Sequence, residues 1–295
     1  MSVDSGRANG FQGCDRMKYW TLLSAAALLL SSAQVVESKP VQAPPAPNYA
    51  DLADLALTAP IAAHVRIAGI DRLSAEEAAS APPGHRRFLI DADVVALIRA
   101  PDGLPARVRY LIDLPNDSRG RPAELRRRSE WLILAQRSGA RSNELRLATP
   151  DAQLAYAPET AERLRAILRE ANAPAAAPRI TGIGRAFHVP GSLAGESETQ
   201  IFLQTAGGQP ISLAILRRPG ETPRWSVALS EIVDEAAPSP GRDTLLWYRL
   251  ACTLPATLPR DSLREASADE ARAINADYRL VMAGLGSCGR TRAWR

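Results

Sequence analysis

From residue 61 onward the chain consists mainly of short runs of β-forming residues separated by turn residues. Alternating or continuous apolar runs of this length predict strands. Five strands are expected before residue 150, at 65–70, 88–98, 108–114, 131–135 and 145–148. Four more follow residue 178, at 180–189, 199–205, 211–216 and 225–232. The pattern therefore predicts two β-rich modules, and the first could close into a five-stranded barrel of the oligonucleotide- or oligosaccharide-binding type.

Two helices are predicted before residue 173. Residues 51–57 suggest a short helix ahead of the first strand. Pro158 stands where helices accept proline as their first residue, and apolar residues recur at helical spacing from Ala161 to Ala171. An amphipathic helix is therefore expected to link the two β-rich modules.

A pair of helices is predicted to close the chain. Asp243 is expected to cap the first of them, and Ser267 with Glu270 forms a capping-box pattern at the start of the second. Gly284 and Gly286 are expected to stop the second helix. The predicted fold class is α+β, with two small, mostly antiparallel β-rich modules, a linking helix and a C-terminal helical closure.

Residues 1–33 have the pattern of a secretory signal peptide. Lys18 precedes an apolar run at 21–30, which is shorter than the ~20 residues that a membrane-spanning helix needs. Small residues favour cleavage after Ala33. An uncleaved membrane anchor is the alternative, and translation could begin at Met17. Cleavage would place the mature protein in the periplasm or outside the cell.

Composition divides the chain into five segments. Prolines fill the stretch after the signal peptide, and an Ala/Pro stretch at 173–178 separates the two β-rich modules. The expected segments are a signal peptide at 1–33, a Pro-rich linker at 34–48, an N-terminal β-rich module at 49–150, an amphipathic helix with an Ala/Pro linker at 151–177, and a C-terminal α+β module at 178–295.

Two of the three cysteines would remain after cleavage, because Cys14 lies in the signal peptide. In an oxidising compartment Cys252 and Cys288 are expected to form a disulfide. A tight helical hairpin would hold them too far apart, since a disulfide needs α-carbons within about 7 Å. Either the chain at 253–265 turns back before the last helix, which we favour, or 244–251 is a strand.

Lysine is almost absent from the chain. Only Lys18 and Lys39 occur among the 36 basic residues, and after export only Lys39 would remain, in the linker. Mechanisms that need a placed ammonium group are therefore excluded, including the phosphate-binding lysine of P-loops, a Schiff-base lysine and Ser-x-x-Lys acylation.

A weak catalytic pattern surrounds His188. A hairpin after this residue could bring its imidazole close to Glu196 or Glu198, as a general base and its orienting carboxylate. The alternative is a histidine at the end of a strand beside exposed loop acids. The three histidines show no ligand spacing, so neither a metal nor a cofactor is expected.

Arginines outnumber acids in the first module, with 15 against 11 between residues 61 and 150. Such a surface could meet an anionic envelope polymer, although a solvated sheet face is the alternative. Another envelope protein is a further possible partner. Nucleic acid is not expected, because the stretch lacks interleaved stacking aromatics. No transmembrane span is expected after cleavage.

Four stretches, at 49–56, 109–115, 195–203 and 243–252, occur together. In this combination the chain resembles a family of exported proteins of Gram-negative bacteria to which no activity is assigned. The resemblance spans Tyr49 to Cys288 and implies a periplasmic or secreted bacterial protein. It implies no ligand and no catalytic residue.

The expected function is that of an exported, non-catalytic protein that binds a ligand or supports an envelope assembly. The alternative is an exported hydrolase that uses His188 with Glu196 or Glu198.

Overall fold

The computed structural model describes residues 46–139, 141–209, 211–229 and 238–292. The predicted signal peptide, most of the linker and the end of the strand predicted at 225–232 lie outside these residues. The described helices are α1 (Tyr49–Thr58), α2 (Pro158–Asn172), α3 (Leu245–Ala251) and α4 (Ala268–Leu285). The described strands are β1 (Ile61–Arg72), β2 (His85–Arg99), β3 (Arg107–Pro115), β4 (Glu130–Arg137), β5 (Glu144–Leu147), β6 (Gln153–Ala155), β7 (Ile180–Pro190), β8 (Ser197–Thr205), β9 (Ile211–Arg217) and β10 (Arg224–Ala228).

The first five strands close into a barrel. Strand β1 pairs with both β2 and β4, which closes the order β1-β2-β3-β5-β4, and β6 pairs with β4 next to β5. All of these pairings are antiparallel except that of β3 with β5. Ile67, Ile90, Tyr110 and Leu134 are almost completely buried in the core. The predicted five-stranded barrel is therefore confirmed.

The second sheet is antiparallel and has the order β10-β9-β8-β7. A β-bulge falls between Ile183 and Ala186, where the register with β8 shifts. The Cβ atom of any other residue at Gly184 would lie 3.4 Å from the carbonyl oxygen of Phe202. The backbones of β7 and β8 therefore approach closely at this bulge. Helix α4 packs against β7. Two β-rich modules with helices, and hence the α+β class, are confirmed.

Helix α1 has no solvent-facing side over most of its length. Every residue from Tyr49 to Ala56 is buried, and the helix packs against α2 and α3. Helix α2 buries Leu164 and Ile167 on the apolar face that its sequence spacing predicts. Residues 45–295 consequently form one compact unit that holds both sheets. None of the helices among the described residues is long and apolar enough to cross a membrane.

The closing segment differs from prediction in two details. Thr244, and not Asp243, caps α3, because its side chain accepts a hydrogen bond from the backbone of Trp247. Asp243 instead has a positive φ of 59° just before the cap. Gly284 lies inside α4, and the helix ends at Gly286, whose φ of 68° favours glycine.

The predicted disulfide between Cys252 and Cys288 is confirmed, with α-carbons 4.9 Å apart. Residues 244–251 are helical apart from the cap, so the strand alternative is wrong. The chain that follows contains a 3₁₀ turn at Arg260–Leu263 and returns before α4 begins. This return places Cys252, which follows α3, beside Cys288, which lies after the end of α4.

Replacing Ser267 with alanine should lower the free energy of unfolding by about 1 kcal/mol, because the N-cap hydrogen bond of α4 is lost. Ser267 accepts from the backbone of Glu270, and the Glu270 carboxylate accepts from the backbone of Ser267. Hydrogen bonds from the side chain and then the backbone of Ser267 hold the pKa of the Glu270 carboxyl below its usual value. Urea unfolding tests the stability change. Ser267→Asp is the control, since aspartate keeps a capping oxygen, and equal losses in both variants would contradict the capping role.

Candidate functional site

The structure does not bring all three residues of the predicted hydrolase site together: Glu196 and Glu198 line one cavity, and His188 does not. His188 lies on β7 opposite Thr199 of β8. Glu198 precedes Thr199 and is exposed, on the other face of the strand, because successive side chains alternate. Glu196 accepts a hydrogen bond from the backbone of Leu193 at 3.3 Å. Within the described chain, no hydrogen bond or ion pair joins His188 to either glutamate.

His188 instead belongs to a network with Thr199 and Asp277. Its Nδ1 lies 2.8 Å from the Thr199 hydroxyl oxygen, and that hydroxyl donates to Asp277 at 2.5 Å. A hydroxyl has one proton to donate, so it must accept from His188, and Nδ1 therefore carries a proton. The imidazole is thereby fixed in orientation against the sheet.

Asp277 is the centre of this network. Its side chain is 1% exposed, and Arg217 donates to it through Nε at 2.7 Å. A buried carboxylate needs such partners, because an unpaired charge in the interior is costly. Our sequence reasoning missed Asp277, although it falls three residues after Ile274 on the predicted apolar face of α4. A charged residue on that face was an available signal of a buried ion pair.

Acidic residues on β2 pair with arginines on β3. Asp91 accepts from Arg109 at 2.8 Å, and Asp93 accepts from Arg107 at the same distance. These pairs follow directly from the antiparallel register, in which the partners stand opposite each other. Arg107 and Arg109 are therefore balanced by acids of the neighbouring strand.

The buried histidine of the barrel is also paired. His64 stacks on Tyr156 with ring centroids 3.7 Å apart, and its Nε2 lies 3.0 Å from Glu130. The pKa of Glu130 is lowered, first by its hydrogen bonds from Arg66 and further by His64. In the part of the chain that the structure describes, no three His, Cys, Asp or Glu side chains converge as metal ligands would.

Two cavities of about 310 Å³ lie in the C-terminal part of the chain. One lies between the bulge of β7 and the 3₁₀ turn, and the other lies at the hairpin of β7 and β8. Carboxylates line both cavities together with arginines. Neither is lined by His188.

A larger cavity, of about 410 Å³, lies between the end of β2 and helix α2. We call it the α2–β2 cavity. It differs from the other two because guanidinium groups line it and, among the described residues, no carboxylate does. Its lining residues are Ile98, Arg99, Arg165, Leu168, Arg169 and Asn172.

Arg99 is a partly buried cation without a carboxylate partner among the described residues. Its Nη2 donates to the carbonyl oxygens of Ala56 and Ala59 at the end of α1. Its Nε is buried and has no hydrogen-bond partner, and burial lowers the pKa of this guanidinium. The hydrogen-bonding capacity of Arg99 is thus only partly satisfied by the protein.

Arg165 and Arg169 stand one helical turn apart on α2 and share a single carboxylate. Arg169 lies 2.6 Å from Glu162, and Arg165 lies 3.6 Å from the same side chain. Together with Arg99, three guanidinium groups are balanced by one glutamate. The α2–β2 cavity therefore carries a formal surplus of two positive charges. Sequence reasoning missed this cluster. The sequence offered one indication of it, namely that Arg165 and Arg169 are four residues apart and so lie on the same face of α2.

Comparisons with known proteins give no relative, since no family model and no curated protein matches the chain. The resemblance to exported proteins of Gram-negative bacteria therefore stays a prediction.

Proposed function

We propose that the protein is exported and acts, without catalysis, as a ligand-binding module in the periplasm or outside the cell. The α2–β2 cavity carries this proposal, because a concave site with a few convergent polar groups is the usual form of a ligand site. Anionic envelope polymers and other envelope proteins are the partner classes that the sequence predicts, and an anionic ligand suits the surplus charge of the cavity.

Two further observations support the proposal. The Cys252–Cys288 disulfide is typical of an oxidising compartment. The acidic pair Asp91 and Asp93 on β2 has structural partners, the arginines of β3. His188 is oriented by its hydrogen bond with Thr199, yet it lines none of the three cavities.

Fractionation of the host cell tests export and processing. The full chain, expressed in a Gram-negative host, should be released by osmotic shock or secreted. Mass spectrometry should find Gln34 as its first residue and Cys252 linked to Cys288. Leu28→Arg, which breaks the apolar run at 21–30, is the control and should keep the chain in the cytoplasm. An unprocessed wild-type chain with free thiols in the cytoplasm would contradict the proposal.

A further inference from the structure

We infer that the α2–β2 cavity binds an amphipathic anion, in which a carboxylate or phosphate head is joined to an apolar chain. This inference rests on the proposed binding function and names the chemical class of its ligand. Arg99, Arg165 and Arg169 would hold the head, and Ile98 and Leu168 would contact the apolar part.

The charge of the cavity selects an anion. Three guanidinium groups face one glutamate, Glu162, which does not line the cavity. Arginine pairs with carboxylate and phosphate through parallel hydrogen bonds, and such charge-assisted bonds are stronger than neutral ones. A head group in this position would supply carboxylate or phosphate oxygens to Arg99, which has none among its described partners, and to Arg165 and Arg169, which share those of Glu162.

The negative ends of helix dipoles offset only part of the positive charge of this cluster. Arg169 is in the last turn of α2, and Arg99 binds carbonyl oxygens at the end of α1. The C-terminus of a helix carries about half a negative charge, so two such ends offset about one of the two surplus charges. The remaining charge still favours an anion.

The size and the apolar lining of the cavity select an amphipathic ligand over a small inorganic ion. Its volume of about 410 Å³ falls within the range of roughly 300–1,000 Å³ that is usual for small-molecule sites. Ile98 and Leu168 supply apolar surface, and the stems of the arginines add to it. An inorganic phosphate would leave this surface in contact with water.

Isothermal titration calorimetry of the mature protein with dodecanoate, below its micelle concentration, tests the inference. Arg165→Gln/Arg169→Gln should weaken binding by at least about tenfold, since the charge-assisted hydrogen bonds of both guanidinium groups with the head are lost. The matched control is Arg163→Gln, which removes a charge from the same helix outside the cavity, and it should change the Kd by less than about twofold. Circular dichroism establishes that each variant is folded.

Three other probes identify the ligand class and its source. Dodecyl phosphate should bind as dodecanoate does, whereas inorganic phosphate and the uncharged dodecyl maltoside should bind at least about tenfold more weakly. Vesicles of phosphatidylglycerol test whether the head group is taken from a bilayer or only from free amphiphiles. Equal binding of the neutral and anionic amphiphiles, equal effects of the cavity and control variants, or absence of dodecanoate binding would overturn the inference. None of these results affects the fractionation experiment, which tests the export part of the proposed function separately.

Discussion

Replacing Cys252 and Cys288 with serine should lower the free energy of unfolding by about 4 kcal/mol. The disulfide joins positions 36 residues apart, and closing a loop of that length removes this much chain entropy from the unfolded state. Its position adds a second effect. Cys288 immediately precedes the segment Gly289–Arg292, which runs against α1, so loss of the disulfide also frees that segment.

Urea unfolding of the wild type and of the serine variant measures this loss. Addition of a reductant should bring the wild type to the stability of the variant and leave the variant unchanged. A variant as stable as the oxidised wild type would show that the disulfide contributes nothing beyond the contacts around it.

Replacing Asp54 with alanine should lower the free energy of unfolding by about 3 kcal/mol, because removal of one partner from a buried ion pair leaves the other charge uncompensated. Asp54 is 5% exposed and accepts two hydrogen bonds from Arg290, at 2.6 and 2.9 Å. The Tyr248 hydroxyl also donates to it. This loss is at the lower end of the range that is usual for breaking a buried ion pair, because Arg290 is 34% exposed and can be partly solvated after the substitution.

Asp54 shifts the pKa values of its hydrogen-bond partners. Burial, followed by the hydrogen bond with Asp54, raises the pKa of Tyr248 to about 12. The pKa of Arg290 is raised first by its hydrogen bonds with Asp54. In Asp54→Ala the pKa of Tyr248 should therefore fall, and an ultraviolet titration of tyrosine ionisation would detect the change.

Asp261→Ala is the matched control for Asp54→Ala. It also removes an aspartate from an ion pair with arginine, but both partners are largely exposed. Such pairs contribute about 0–1 kcal/mol, so urea unfolding should detect little change. Equal losses in the two aspartate variants would contradict a stabilising role for the buried pair.

The two stability effects should not add. Asp54 and the disulfide both hold the segment after α4 against the rest of the chain, and groups that share a partner couple. In a variant that lacks both, the combined loss should be smaller than the sum of the separate losses. This coupling would show that α1 and the C-terminal segment are stabilised as one cluster.

Local patterns in the sequence predicted the elements of the fold, because periodicity and turn residues act over short distances. The strands at 88–98 and 108–114 correspond to β2 and β3, and Ser267 caps α4 as expected. Strand β6 was missed, since its three residues carry no period of their own. The closure of the barrel through β1 and β4 joins distant residues and could not be derived from local pattern.

The candidate site was less predictable than the fold. His188 was recognised by its residue type, but its partner Asp277 lies 89 positions away, and only the packing of α4 on the second sheet brings the two together. Arg99 and Arg165 likewise meet through the packing of α2 beside β2. Spacing along the chain carries no information about such contacts.

A crystal structure of the mature protein with bound dodecanoate tests the central claim, that the α2–β2 cavity is an anion-binding site, most directly. The carboxylate should lie within hydrogen-bond distance of at least two of the guanidinium groups of Arg99, Arg165 and Arg169, with its chain against Ile98 and Leu168. An empty cavity at a dodecanoate concentration that saturates the protein in calorimetry, with the ligand bound elsewhere, would contradict the claim.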